Sequence, residues 1–211
     1  MIYIICYDWP STSGNHTGMR YLYEYIQKRN PELYKMYTFN MGRRFWDKGK
    51  KGKKISVLFT ALKLAMTYKS GDKFVLTEYL HRDSYQILFA KIIRFICPKA
   101  PIYAMVHLVP EKLERRYSKA QIKKSSRFVT EIVTLGSSLT CYLNNLGIGN
   151  VYTSFHYVDN NYYTPSANLY NRGGDVKVIV MGALARDFEQ IAYIVSRLPQ
   201  IHFYICKGRE N

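Results

Sequence analysis

The sequence predicts a doubly wound α/β fold, a mostly parallel sheet with helices on both faces. The chain opens on a continuous apolar, β-branched run, Ile2 to Tyr7, of the kind buried on both faces of a parallel sheet. Such runs then alternate with longer segments whose apolar residues recur at helical spacing. Strands alternating with helices imply parallel crossover units, and in sheets of this type ligands bind beyond the carboxyl ends of the strands.

The elements follow in order. Ile2 to Tyr7 is bounded by Asp8, Trp9 and Pro10, and a Ser/Gly loop comes next. Met19 to Arg29 sets Met19, Leu22, Tyr23 and Ile26 on one stripe and reads as a helix; Leu33 to Phe39 alternates as a second strand. A basic loop leads into a helix over Ile55 to Tyr68, with Val57, Leu58, Ala61, Leu62 and Ala65 on one stripe. Lys73 to Tyr79 reads as a strand, Ser84 to Ile96 as a helix, and Ile102 to His107 as a strand with Pro101 at its mouth. A charged helix from Glu111 to Ser125 follows, then strand Glu131 to Leu135, helix Ser137 to Leu146 and strand Val151 to His156. From Asp159 to Gly174 the periodicity fails and Asn, Tyr, Pro and Gly dominate, the composition of a linker. Val176 to Met181, Phe188 to Leu198 and His202 to Ile205 then form one βαβ pattern. Residues 1–168 are expected as a Rossmann-like domain, 169–175 as a linker and 176–211 as the start of a second domain, because a unit of about 35 residues cannot bury a core alone.

With 211 residues and 47% hydrophobic content, the chain can hold one full domain and part of another. No stretch reaches the ~18 apolar residues of a membrane span, and the longest, Ile87 to Cys97, is broken by Lys91 and Arg94. The N-terminal run is too short for a signal peptide and lacks a basic start, so the cytoplasm is expected. Cys6, Cys97, Cys141 and Cys206 stand singly without C-x-x-C spacing; reduced thiols are expected, with neither a metal site nor a disulfide framework.

The formal charge of +16 is unevenly spread. Arg43, Arg44, Lys48, Lys50, Lys51, Lys53 and Lys54 crowd one segment against Asp47 alone, and Lys112, Arg115, Arg116, Lys119, Lys123, Lys124 and Arg127 form a second cluster. Such clusters attract polyanions. Phe45 and Trp46 lie inside the first, and aromatics among cations suit a membrane interface, so Arg43, Arg44, Phe45, Trp46, Lys50, Lys51, Lys53 and Lys54 are expected to face an anionic membrane. A solvated charged loop is the alternative. No nucleic acid is expected as partner, because no recognition helix or RNA-binding motif accompanies the charge.

Position along the chain selects the residues that can carry chemistry. The loop holding Gly14, Asn15, His16, Thr17 and Gly18 joins the first strand to the first helix, where backbone N–H groups and the helix N-terminus can hold an anion. Its spacing is neither the dinucleotide fingerprint nor a Walker loop, and a plain turn is the alternative. His107 ends a strand at the carboxyl edge, with an ordinary satisfied polar residue as the alternative to a catalyst, and His81 follows the preceding strand in the same way. With His16, three of the five histidines fall on one rim, which points to a polar cleft.

The order of these residues resembles the GT-B glycosyltransferases, in particular the retaining group that uses nucleotide sugars. The likeness covers nearly the whole chain: the glycine loop, Val75 to His81, Pro101 to His107, Ile132 to Ser138, and Leu143 to Gly147. It continues through His156 to Pro165, similar to the family's Gly-Val-Asp, aromatic and Pro crossing between domains, and through Val176 to Gly182 and Ile201 to Gly208, similar to the start of its donor-binding domain. The chain departs from the pattern at Gly14 and Gly18, which replace paired glycines, at Tyr157, which stands where the crossing has glycine, and at Arg186 beside Asp187, where the family has a basic pair.

The resemblance implies that a nucleotide diphosphate lies between two α/β domains without a bound metal, its leaving group stabilised by helix dipoles and basic side chains. It implies His107 as the catalytic residue, Gly14 to Gly18 against the diphosphate and the acceptor, and His81, Ser137 and Arg186 in the cleft. No cofactor is implied. The donor would be a UDP- or GDP-linked sugar and the acceptor a glycan or a lipid-linked molecule in cell-surface polysaccharide or glycolipid synthesis. The expected place is the cytoplasmic face of the inner membrane, held peripherally. The family's Glu-x7-Glu donor motif would fall beyond Asn211, so this chain alone is expected to be inactive. Two other classes stay open: a non-catalytic membrane-docking subunit of a split glycosyltransferase, and a basic nucleic-acid-binding protein.

Overall fold

Six short apolar runs, β1 (Ile2–Tyr7), β2 (Tyr34–Phe39), β3 (Lys73–Leu76), β4 (Ile102–Val106), β5 (Glu131–Thr134) and β6 (Val151–Thr153), pair in parallel throughout. The computed structural model that shows this describes residues 1–7, 16, 18–39, 49–164, 176–181 and 187–206, with the backbone alone for 49–51. The strand order is β2-β1-β3-β4-β5-β6. Flanked by α1 (Gly18–Arg29), α2 (Gly49–Met66), α3 (Gln86–Ile96), α4 (Pro110–Glu114), α5 (Lys119–Ser126) and α6 (Ser137–Asn145), the sheet is the doubly wound, Rossmann-like α/β fold that the sequence predicts. The chain steps from β1 out to β2, then crosses back over β1 to β3 and continues one way. That reversal opens a crevice at the carboxyl ends of β1 and β3.

Burial shows which face carries the core. In β4, Ile102, Ala104 and Val106 are fully buried while Tyr103 and Met105 between them are only partly so. Phe74 and Leu76 of β3 and Ile132 of β5 share the buried side, and Phe74 meets Phe89 of α3 edge-on at 5.9 Å. On the other side Tyr23 of α1 reaches the Met105 sulfur with its hydroxyl. Right-handed crossovers account for the asymmetry: the one leftward step, β1 to β2, sends its helix to one face, and every rightward step sends its helix to the other.

Several boundaries differ from those predicted. The basic segment before Ile55 is not all loop, because α2 begins at Gly49; lysines are good helix formers and extend the helix through Lys53 and Lys54. The single charged helix predicted over Glu111 to Ser125 is two, α4 and α5. Ser118 starts the second: its hydroxyl accepts from the Gln121 N–H and the Gln121 side chain accepts from the Ser118 N–H, a capping box. β3 stops at Leu76, since Thr77 to Leu80 turn, and β6 stops at Thr153, short of His156. The helix predicted from Ser84 is a 3-10 turn, Arg82–Ser84, followed by α3.

The chain divides into two compact units, Met1–Tyr163 and Thr164–Asn211. In the second, β7 (Lys177–Met181) and β8 (His202–Cys206) pair in parallel around α7 (Phe188–Arg197). Asp187 caps α7 by accepting from the Gln190 N–H at 3.0 Å. No residue of α7 is buried, as expected of so small a unit. Among the described residues no helix is long and apolar enough to cross a membrane.

Candidate functional site

The turn after β3 is built around two strained residues. Leu80 (φ 58°) and Tyr85 (φ 53°) both lie in the left-handed region, which for such side chains costs on the order of 1–3 kcal/mol and persists only where the surroundings fix it. Here they do. Leu80 is fully buried, and the Ser84 hydroxyl lies 2.8 Å from the carbonyl oxygens of both Glu78 and His81. Gln86, in the first turn of α3 and buried, accepts from the Glu78 N–H at 2.8 Å and donates to the Ile5 carbonyl at 2.8 Å. One amide thus fastens the turn to β1 across the point where the strand order reverses.

The consequence is the placement of a carboxylate. Glu78 has 10% of its side chain exposed and brings Oε1 to 4.0 Å from Nε2 of His107, the first residue past β4. That distance is too long for a hydrogen bond. Nor is the pair an ion pair at neutral pH: burial pulls the His107 imidazole down to about 4, opposed by a backbone hydrogen bond with Thr77 and assisted by the nearby His156 and His81. The Thr77 bond favours the protonated ring and so keeps a proton on the nitrogen it engages, leaving Nε2 of the neutral ring as an acceptor. Nε2 is buried and has no hydrogen-bond partner among the described residues, and the same holds for the Thr77 hydroxyl. Two such atoms, one in the turn after β3 and one just past β4, mark places where polar capacity is held in reserve.

Around this pair stand Tyr7 at the end of β1 and Lys53 of α2, whose Nζ donates to the Tyr7 hydroxyl at 3.2 Å. Burial first, then the negative charges of Asp83 and Glu78, push the Tyr7 phenol up to about 12. His81 is half-buried, and its imidazole is held below its ordinary value by burial and by Arg116. His156 comes from the segment after β6, its ring centre 6.2 Å from that of His107. Ser137 is exposed at the start of α6, after the neighbouring strand β5.

His16 belongs to a second cluster. Its backbone is left-handed (φ 63°), and its Nδ1 lies 2.7 Å from Oδ2 of Asp159, which also accepts from the Tyr21 hydroxyl at 2.8 Å. Tyr162 stacks on the His16 ring at 3.9 Å, and the Tyr157 hydroxyl donates to the Gly18 carbonyl at 2.6 Å. Gly18 has a φ of 80°, a value that favours glycine at this entry to α1. Hydrogen bonds from His16 and Tyr21 hold the Asp159 carboxyl below its ordinary range, and the same bond to Asp159 drives the Tyr21 phenol up to about 12. The segment 157–162, which the sequence reads from Asp159 onward as linker, is therefore clamped to α1. A cavity of about 170 Å³ lies beside it, lined by Tyr21, Leu22, Tyr25 and the backbone run from Tyr157 to Asn161.

Of the residues singled out in the sequence, His107 and Lys53 meet around Glu78 and Tyr7, while His16 and Gly18 form the separate clamp. Lys53 turns toward the crevice, whereas Lys54 is exposed. Gly14, Asn15, Thr17, Arg43, Arg44, Phe45, Trp46 and Arg186 lie outside the described residues, as do the side chains of Lys50 and Lys51. Sequence reading did not single out Glu78, Gln86, Tyr7 or His156. Glu78 carried a usable signal, an acidic residue two positions past a buried strand; the others depend on crossings that only the folded sheet creates. Among the described residues no group of three metal-binding side chains occurs. No protein-family model and no curated protein matches this chain.

Proposed function

We propose that the first unit is the acceptor-side domain of a glycosyltransferase that moves a sugar from a UDP- or GDP-linked donor to a glycan or lipid-linked acceptor. The observation that carries this reading is the His107–Glu78 pair at the carboxyl edge, where the strand order reverses. A sugar hydroxyl is both donor and acceptor. Adjacent ring hydroxyls each donate their one proton, one to the neutral imidazole nitrogen and the next to the carboxylate, two acceptors too far apart to bond each other. Glu78 then orients the sugar through one hydroxyl and His107 accepts from the other as a general base, a type of contribution typically worth about 10²–10⁴-fold. Because Nε2 is covered, substrate contact requires the groups over it to part. Lys53, beside Tyr7, supplies a cation at the same edge for a phosphate-bearing substrate.

Binding tests this without turnover. With the histidine rings isotopically labelled, titration with simple hexosides and with UDP- and GDP-sugars is expected to move the His107 resonances saturably, with His202 unmoved, and Glu78→Gln is expected to weaken the response. A His107 ring that no sugar or nucleotide sugar perturbs contradicts the reading.

A further inference from the structure

We infer that the outer face of α2 and α3 docks on an anionic bilayer. The inference extends the membrane-presented acceptor of the proposed function, but it rests on a different surface and needs no sugar chemistry. α2 already has a buried stripe, with Val57, Ala61, Leu64 and Ala65 packed into the core. An ordinary surface helix would be polar on the opposite side. Instead Phe59 is 67% exposed and Met66 78% exposed, with Ile55 and Leu58 beside them on the same stripe. α3 ends in the same way: Phe95 is 88% exposed and Ile96 follows it. The end of α2 meets the end of α3, where the Cys97 thiol donates to the Ala65 carbonyl, so the two apolar stripes adjoin. Between them lies a groove of about 640 Å³ lined by Leu62, Leu88, Ile92 and Phe128.

Charge selects the occupant. Neither helix contains a carboxylate, and Lys54, Lys63 and Lys91 stand exposed among the apolar side chains. Arg127, next to Phe128 in the chain, and Lys123 and Lys124 of α5 are exposed as well. Such a face repels a second copy of itself and attracts an anionic surface. Protruding phenyl rings ringed by lysines suit a deformable headgroup layer, where the rings enter the acyl boundary and the lysine stems reach back to phosphates. The first turns of α2 also carry Lys53 to Tyr7, so docking by this helix sets the carboxyl edge of the sheet beside the lipid.

Vesicle co-sedimentation tests the inference, using phosphatidylcholine alone and phosphatidylcholine with phosphatidylglycerol. The wild-type protein is expected to partition onto the anionic vesicles, less so at high salt. The double variant Phe59→Ser/Phe95→Ser, at two exposed positions, is expected to keep its thermal stability and to lose about tenfold or more in partition coefficient. Lys63→Glu/Lys91→Glu is expected to lose a comparable factor at low salt. The response of the His107 ring to sugars is expected to be unchanged in both, which separates failure of this inference from failure of the proposed function. Any of these results overturns it: no binding to either vesicle, equal binding to both, full binding by the Phe59/Phe95 variant, or concentration-dependent self-association that this variant abolishes. Capture of an acidic protein without vesicle binding overturns it as well.

Discussion

His107 is a weak base because it is covered, and that makes its protonation a stability statement. Its folded value near 4 lies below the ordinary 6.5, so between those limits the unfolded chain binds a proton that the folded chain does not. Stability therefore rises with pH through this window and falls as pH drops from 6.5 toward 4. The contribution of His107, whose side chain is 19% exposed, is on the order of 3 kcal/mol over that range. His81, lowered for the same reason, slopes in the same direction. Urea melts at stepped pH are expected to show the slope in the wild type and much less of it in His107→Gln; equal slopes would place the titration elsewhere. Gln86 acts by position. Gln86→Ala leaves the buried Glu78 N–H without its partner and is expected to cost about 2–3 kcal/mol. It is also expected to weaken the response of the His107 ring to sugars, whereas an equally destabilising core change such as Ile93→Ala is not.

At the scale of elements, the sheet was legible because its strands are apolar runs of ordinary length and its helices carry clear stripes. The misplaced boundaries have local causes. Ser118-Lys119-Ala120-Gln121 is a capping-box sequence inside a charged stretch that otherwise looks continuous, and it splits the predicted helix in two. Ser118→Ala is expected to cost about 1 kcal/mol, read as a lower unfolding midpoint with unchanged denaturant dependence. The early start of α2 was hidden by Gly49 and Gly52, which depress helix propensity on paper while Gly52 is buried in the folded helix. The alternation in β4 also held a further clue: Ile102, Ala104 and Val106 are smoothly apolar, whereas Tyr103 and Met105 between them suit a face less deeply covered. The candidate site was legible at His107 as a position, because a strand delivers it to the carboxyl edge. It was not legible at Gln86 or Tyr7, because their roles depend on β3 crossing back beside β1.

At the scale of the whole molecule, the first unit is closed by its own exit. Asp159 joins His16 and Tyr21, and Tyr157 bonds the entry to α1, so the last residues of the unit are tied to its first loop. Asp159→Ala is expected to speed amide exchange at Tyr162 and Tyr163, whose N–H groups bond the Asp159 carbonyl, by on the order of tenfold while leaving β3 and β4 protected. Uniform loosening of the sheet would contradict a local clamp. On the proposed function, a turn held by Gln86, a carboxylate beside a neutral imidazole and the carboxyl edge of the sheet act together to receive a sugar. The most direct measurement is sugar transfer from UDP- and GDP-linked donors to a membrane lipid extract by the protein expressed from its full reading frame, comparing wild type with His107→Ala. Turnover is predicted to fall about a hundredfold at unchanged thermal midpoint; transfer within a few-fold of wild type, or none from the wild type with any donor, contradicts the account.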